Sequence, residues 1–287
     1  MAANFWNSTH YRHWLRKVDE VYKQADAMMK KDQSTFKEDE QNNIKVIYSQ
    51  IISTLAMKSK LRQRVAATAI VYYRRFFARN AVRDHDPRLI APVALYLAAK
   101  AEEHTLAAKI VVAQMADIYQ ADHPYPYSVI HVYDYEFKLI AALEFDLIIY
   151  HPYRPMIQYC ADASFHDLVT AAWPILNDSY KSDACLRYPP YLIAIASIYI
   201  AGTLRDREMT NWVKKMNIDL QELADIIQYL SALYANPSII RTSGPQVERI
   251  NNKLQSHFAT KIQNAQSGLA KKPPSSSRPK MSLKLAE

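Results

Sequence analysis

An all-α protein built from two tandem helical repeats is what this sequence predicts, on three observations. Apolar residues recur at spacings of three and four along most of the chain. Tight-turn signals are scarce, with three widely separated glycines, Gly202, Gly244 and Gly268, in 287 residues. One apolar helix is written twice: PRLIAPVALYLAA from Pro87 aligns without gaps to PYLIAIASIYIAG from Pro190. Leu89/Leu192, Ile90/Ile193, Ala91/Ala194, Tyr96/Tyr199 and Ala98/Ala201 are identical. Just upstream, RVAATA from Arg64 matches LVTAAW from Leu168 at nearly the same offset, as a tandem repeat requires.

Composition narrows the function. The hydrophobic fraction of 49% and charged fraction of 22% are those of an ordinary globular protein. No run reaches the roughly 18 uncharged apolar residues of a membrane span, and MAANFWNSTHYRHW lacks a signal-peptide layout, so an intracellular protein is expected. Cys160 and Cys185 belong to no C-x-x-C pair and read as small hydrophobes, not metal ligands. Glycines this scattered cannot cradle a phosphate, which excludes the P-loop, the dinucleotide fingerprint and the kinase glycine loop; no cofactor is expected. The net charge is +8, but Lys261, Lys271, Lys272, Arg278, Lys280 and Lys284 in the tail face one acid, Glu287. The body is therefore near neutral and no direct nucleic-acid contact is expected.

In chain order, Tyr11, Trp14, Leu15, Val18, Val21, Tyr22, Ala25, Met28 and Met29 form one amphipathic stripe, separated from the main fold by the polar stretch Lys30 to Asn43. It reads as a helix that docks on the body or grips a partner. Ile44 to Leu55 and Leu61 to Arg79 supply two helices. Asp86-Pro87 is a helix start, opening the apolar helix that ends at His104; Pro92 inside it predicts a bend. Thr105 to Gln120 follows, then a helix from Ser128 through Phe145, and the proline-stiffened connector LIIYHPYRP. The second half repeats the grammar: Phe165 to Tyr180, a helix opened by Pro189-Pro190, a short segment at Trp212, and Asp219 to Tyr234. The boundaries are 1–36 for an N-terminal helix and linker, 37–150 and 151–240 for the two repeats, and 241–287 for a largely disordered basic, proline-serine-rich tail.

The repeats differ at one place. After the shared apolar run the first gives Lys100-Ala101-Glu102-Glu103, the second Thr203-Leu204-Arg205-Asp206. The packing run is scaffold and the charged end is where function is expected. On residues alone, Lys100 with Glu136 reads more readily as an ion pair that orients two helices than as a partner contact. Glu102 and Glu103 point about 100° apart on a helix, so one is expected to be structural and the other solvated. Asp84-His85-Asp86 reads as a cap, and His10 with His13 lacks a third ligand. Trp173 and Asn177 stack at i, i+4; with Asp178 and Tyr234 they suit a partner groove or a core tryptophan with polar neighbours.

LAAKAEE closing a buried third helix, Glu136 within YDYEFKLIAALEFDL, and two repeats of about five helices resemble the cyclin family and its cyclin boxes. NFWNSTHY, RQRVAATAIVYYRRFFAR, DPRLIAP, YHPYRP, NDSYKSD and YPP are similar to the cyclin C subfamily, the cyclins of the Mediator kinase module. The resemblance spans about Asn4 to Tyr234. It implies a non-catalytic regulatory subunit that binds and activates a cyclin-dependent kinase in the nucleus and acts on RNA polymerase II transcription. It also implies that Lys100, Glu136, Phe145, Glu103 and Ile140 touch the kinase, and that Trp173, Asn177, Asp178 and Tyr234 hold another subunit of the module. NNIKVIYSQIISTLA departs from the MRxxL-type start of cell-cycle cyclins, which makes docking of RxL substrates doubtful. The competing readings are a TFIIB-like factor with cyclin-like repeats, which the missing zinc ribbon disfavours, and a helical adaptor. A helical prenyl or terpene synthase lacks its DDxxD motif here.

Overall fold

The computed structural model describes residues 4–15, 18–119, 124–235 and 245–269. Among these the secondary structure is helical. A short 3-10 turn, Phe5–Asn7, and a π-helical turn, His10–Leu15, precede α1 (Val18–Asp32). The first repeat is α2 (Glu38–Lys58), α3 (Gln63–Arg79), α4 (Pro87–Ala101), α5 (Ala108–Ala116) and α6 (Val129–Ala142). The second is α7 (Tyr153–Asp162), α8 (Val169–Ser179), α9 (Ala184–Arg187), α10 (Pro190–Thr203), α11 (Thr210–Lys214) and α12 (Leu220–Ala235). α13 (Pro245–Leu269) follows.

The two copies of the apolar run are the two central helices. α4 packs on α2, α3, α5 and α6; α10 packs on α7, α8, α9 and α12. That is why both are apolar all round: a helix enclosed by four others has no solvent face to mark with charge. Asp86 caps α4 as its sequence predicts, accepting from the Arg88 amide at 2.9 Å while its carboxylate also holds the Arg88 guanidinium. The helix continues through Pro92. A proline leaves the carbonyl four residues earlier without its amide partner, and here that carbonyl, of Arg88, accepts from the Tyr125 hydroxyl at 3.1 Å.

The structure differs from the sequence reading in two stretches. The polar stretch 30–43 is helical at both ends, leaving only 33–37 as a connection, and the N-terminal stripe divides into the π turn and α1. Within 241–287, expected to be largely disordered, 245–269 form α13. Its Ile250, Leu254 and Phe258 are buried at one residue per turn, a stripe too narrow to stand out in sequence. Lys253 pairs with Glu40 at 2.6 Å, and Tyr48 donates to Asn251 at 3.3 Å, tying α13 to α2. The basic stretch from 270 onward lies outside the described residues.

Candidate functional site

Lys100 occupies the last turn of α4, half exposed, and its ammonium donates to the Glu136 carboxylate of α6 at 2.6 Å. Glu136 is buried, the one acid on the α6 face that also carries Val132 and Leu139. The hydrogen bond to Glu136 raises the Lys100 pKa, outweighing partial desolvation. The ammonium also sits 5.4 Å from the centre of the Tyr96 ring, which meets Tyr133 of α6 edge-on at 5.9 Å. The pair is thus preformed, with free ammonium protons at the surface. One residue pair orients two helices and presents a cation.

The neighbouring carboxylates divide as their spacing predicts. Glu102 accepts from Thr68 and from Arg64, each at 2.7 Å. Glu103 is exposed at the turn that ends α4, with φ of 56°.

The surface of α6 carries what the sequence did not reveal. Ile130, Tyr133 and Phe137 look in sequence like a core stripe. In the structure they face solvent, at 68%, 46% and 76% exposure, while the opposite face packs inward. Ile140 is partly buried against the core; Phe145 and Ile148 beyond the helix are 76% and 70% exposed. So many large exposed apolar side chains on one helix and its exit mark an interaction surface. A helix turned apolar side out next to a half-exposed lysine can bury apolar area on a partner helix and fix its register by hydrogen bonds.

The second predicted set resolves into two groups on the second repeat, one of which reaches the first repeat through Gln63. Trp173 lies against Tyr153 with ring centres 4.9 Å apart. Asn177 accepts from the Tyr153 hydroxyl at 2.8 Å and from Gln63 of α3 at 3.2 Å. Tyr234 of α12 donates to Asp178 at 3.0 Å, and Lys181 pairs with the same carboxylate; burial, then Asp178, raises the Tyr234 pKa. Tyr153 and Gln63 were not singled out in the sequence; a tyrosine in YHPYRP carries no pattern that marks it as a floor.

His13 has neighbours that sequence spacing could not show. Its ring, Glu144 and Asp146 bring ligand atoms within 4.8 Å of one another. Asp146 already accepts from the Trp14 indole at 3.1 Å and Glu144 pairs with Arg79 at 2.6 Å. The carboxylates have cationic and N–H partners from the chain itself, and the group reads as a latch on the N-terminal segment.

Comparisons with known proteins bear on the family of the whole chain. Residues 13–148 match the model of the cyclin N-terminal domain. The chain is 38% identical over 260 residues to Cyclin-C1-1 of Oryza sativa subsp. japonica, covering 89% of this chain and 99% of that protein. It is 35% identical over 242 residues to Cyclin-C of Rattus norvegicus, covering 82% and 84%. Among solved structures, it shares its fold with a chain of the CAK complex of Chaetomium thermophilum bound to ATP-gamma-S, with TM-score 0.65, 17% identity and coverage of 96% and 98%. A chain of the yeast TFIIK complex gives TM-score 0.59 at 23% identity, covering 79% of this chain and 99% of that one. With the tandem helical repeat, the match to the cyclin N-terminal domain and relatives of the cyclin C type at 35–38% identity over most of their length, the chain belongs to the cyclin family, among cyclins of the C type, as a non-catalytic regulatory subunit.

Proposed function

We propose that the chain binds and activates the cyclin-dependent kinase of the Mediator kinase module, in the nucleus, and so regulates RNA polymerase II transcription. The observation that carries the kinase contact is the outward apolar face of α6 beside Lys100–Glu136. Protein kinases need a glutamate of their αC helix paired with the β3 lysine. A rigid face that fits αC only in its active position shifts the kinase population toward that state. Moving from 1:99 to 99:1 takes about 5.5 kcal/mol of differential binding, which an apolar contact with two or three hydrogen bonds from Lys100 and Glu136 can supply. Glu103, Ile140 and Phe145 extend the face. Phosphoryl transfer belongs to the kinase. Assignment to Mediator rests on the cyclin C type of the chain. The Trp173–Asn177 and Asp178–Tyr234 pairs, floored by Tyr153, form the surface we assign to a further module subunit.

The test exchanges charge at the anchor. With the purified kinase, Lys100→Glu and Glu136→Lys should each weaken binding at least tenfold and reduce kinase activation in parallel, with the fold intact by circular dichroism. Wild-type binding and activation in both variants would refute the site. Affinity capture of the tagged chain followed by mass spectrometry should return a cyclin-dependent kinase with Mediator subunits; a kinase without them would remove the Mediator assignment.

A further inference from the structure

Among the described residues, six non-glycine residues have positive φ: Lys60, Glu103, Glu144, Phe145, Ser164 and Asp206. Five of them end helices in the same way. The residue after each donates its amide to the carbonyl five positions back, as in Leu61 to Ala56, His104 to Ala99, Phe145 to Ile140, Phe165 to Cys160 and Arg207 to Gly202, which leaves the residue between them left-handed. Phe145 is the sixth. Among the described residues, only after α6 do two successive side-chain-bearing residues adopt this conformation, at 54° and 62°. Each such residue costs roughly 1–2 kcal/mol, so the surroundings must hold the turn in place.

They do so on both sides of Phe145. Arg79 of α3 pairs with Glu144 at 2.6 Å and reaches the Ala142 carbonyl at 3.5 Å. Arg75, fully buried, donates to the Asp146 carbonyl at 3.3 Å. Trp14 of the N-terminal segment lies against both guanidiniums, at 4.3 Å from Arg75 and 4.1 Å from Arg79, and its indole donates to Asp146. His13 adds a contact to the same carboxylate at 2.9 Å. Residues 142, 144 and 146 are thereby held from beneath, and Phe145 between them is left 76% exposed.

We propose that Arg79, acting with Trp14 and Asp146, is a positioning residue that locks the left-handed Glu144–Phe145 turn and presents the Phe145 ring to the kinase. The inference rests on the kinase-face reading. It adds that the N-terminal segment, though separate from that face in sequence, is part of what shapes it.

Two measurements on the full chain test it. In the free protein, Arg79→Met should speed amide hydrogen exchange at 145–147 at least tenfold. Glu144→Gln, which removes the same ion pair from the exposed side and spares the half-buried guanidinium, should do so to a smaller degree and serves if Arg79→Met does not fold. With the purified Mediator-module cyclin-dependent kinase as probe in biolayer interferometry, Arg79→Met should raise Kd about tenfold in the wild type and less than twofold in a Phe145→Ala background, because the two act as a unit. Unchanged exchange at 145–147, or effects of Arg79→Met and Phe145→Ala that multiply, overturns the proposal. If exchange responds while Phe145→Ala and Lys100→Glu both leave Kd unchanged, the local lock stands and the kinase-face reading fails.

Discussion

His151 gives a hydrogen bond on one side and receives one on the other. Thr68 donates its only hydroxyl proton to Glu102, so at 2.8 Å from the His151 Nε2 it must accept. The ring therefore carries its proton on Nε2, and its Nδ1 accepts from the Tyr180 hydroxyl at 2.7 Å. This runs a polar path from the charged end of α4 through α3 to the second repeat, with every member satisfied only while the imidazole is neutral. Desolvation, and then Arg64 and Arg75, push the His151 pKa down to about 3; His10 is lowered by burial in the same way. A histidine with a depressed folded-state pKa is protonated first in the unfolded chain, so the stability it contributes is present above about pH 6.5 and is lost as pH falls toward the folded value. Each of the two removes up to about 1.4 kcal/mol per pH unit in that range. Denaturant midpoints should decline steadily from pH 6.5 to 5, and His151→Gln should remove close to one proton from that slope. A decline of the same steepness in His151→Gln would show that the imidazole is solvated.

At the scale of elements, the helices whose packing is internal were legible and those facing outward were not. α4 and α10 announce themselves because enclosure makes them apolar throughout. α6 is misleading, since Ile130, Tyr133 and Phe137 have the spacing of a buried stripe and nothing in one sequence says which apolar face a helix turns inward. Helix ends were obscured for a different reason. Glycine is the usual residue at a left-handed C-terminus, yet Lys60, Glu103, Glu144, Ser164 and Asp206 occupy those positions here, so the stop signal is absent from the letters. The same fact predicts a gain: Ser164→Gly, at an exposed turn with φ of 56°, should stabilise the protein by about 1 kcal/mol, visible as a higher melting temperature. α13 makes the opposite prediction. Leu254 is fully buried in a helix that read as a weak pattern, and Leu254→Ala should cost about 2–5 kcal/mol. A cost within about 0.5 kcal/mol of zero would mean that α13 does not dock on α2 in solution.

At the scale of the molecule, the tandem architecture was readable from one duplicated helix, but an ion pair that helps join the copies was not, because its residues are ordinary charges far apart in sequence. Arg74 of α3, buried, pairs with Asp183 at the start of α9 at 2.6 Å and donates to the Tyr180 carbonyl at 3.0 Å. Burial alone would raise the Asp183 pKa, but Lys45 and Arg74 outweigh it and hold the carboxyl below its ordinary value. A carboxylate with a lowered folded-state pKa contributes stability above its unfolded value, near pH 4, and that contribution is lost as pH falls through the folded value. Removing one member of a buried pair strands the other, at a cost of about 3–5 kcal/mol, whereas removing both strands neither. Urea unfolding at pH 7 should therefore show Arg74→Met and Asp183→Asn each strongly destabilising, with the double variant less destabilised than the sum of the two. If each repeat folds on its own and this pair only docks them, Arg74→Met should also split the transition in two. A single transition moved to lower urea would instead make the pair part of one cooperative core, in which the exposed apolar face of α6 on the first repeat depends on the packing of the second.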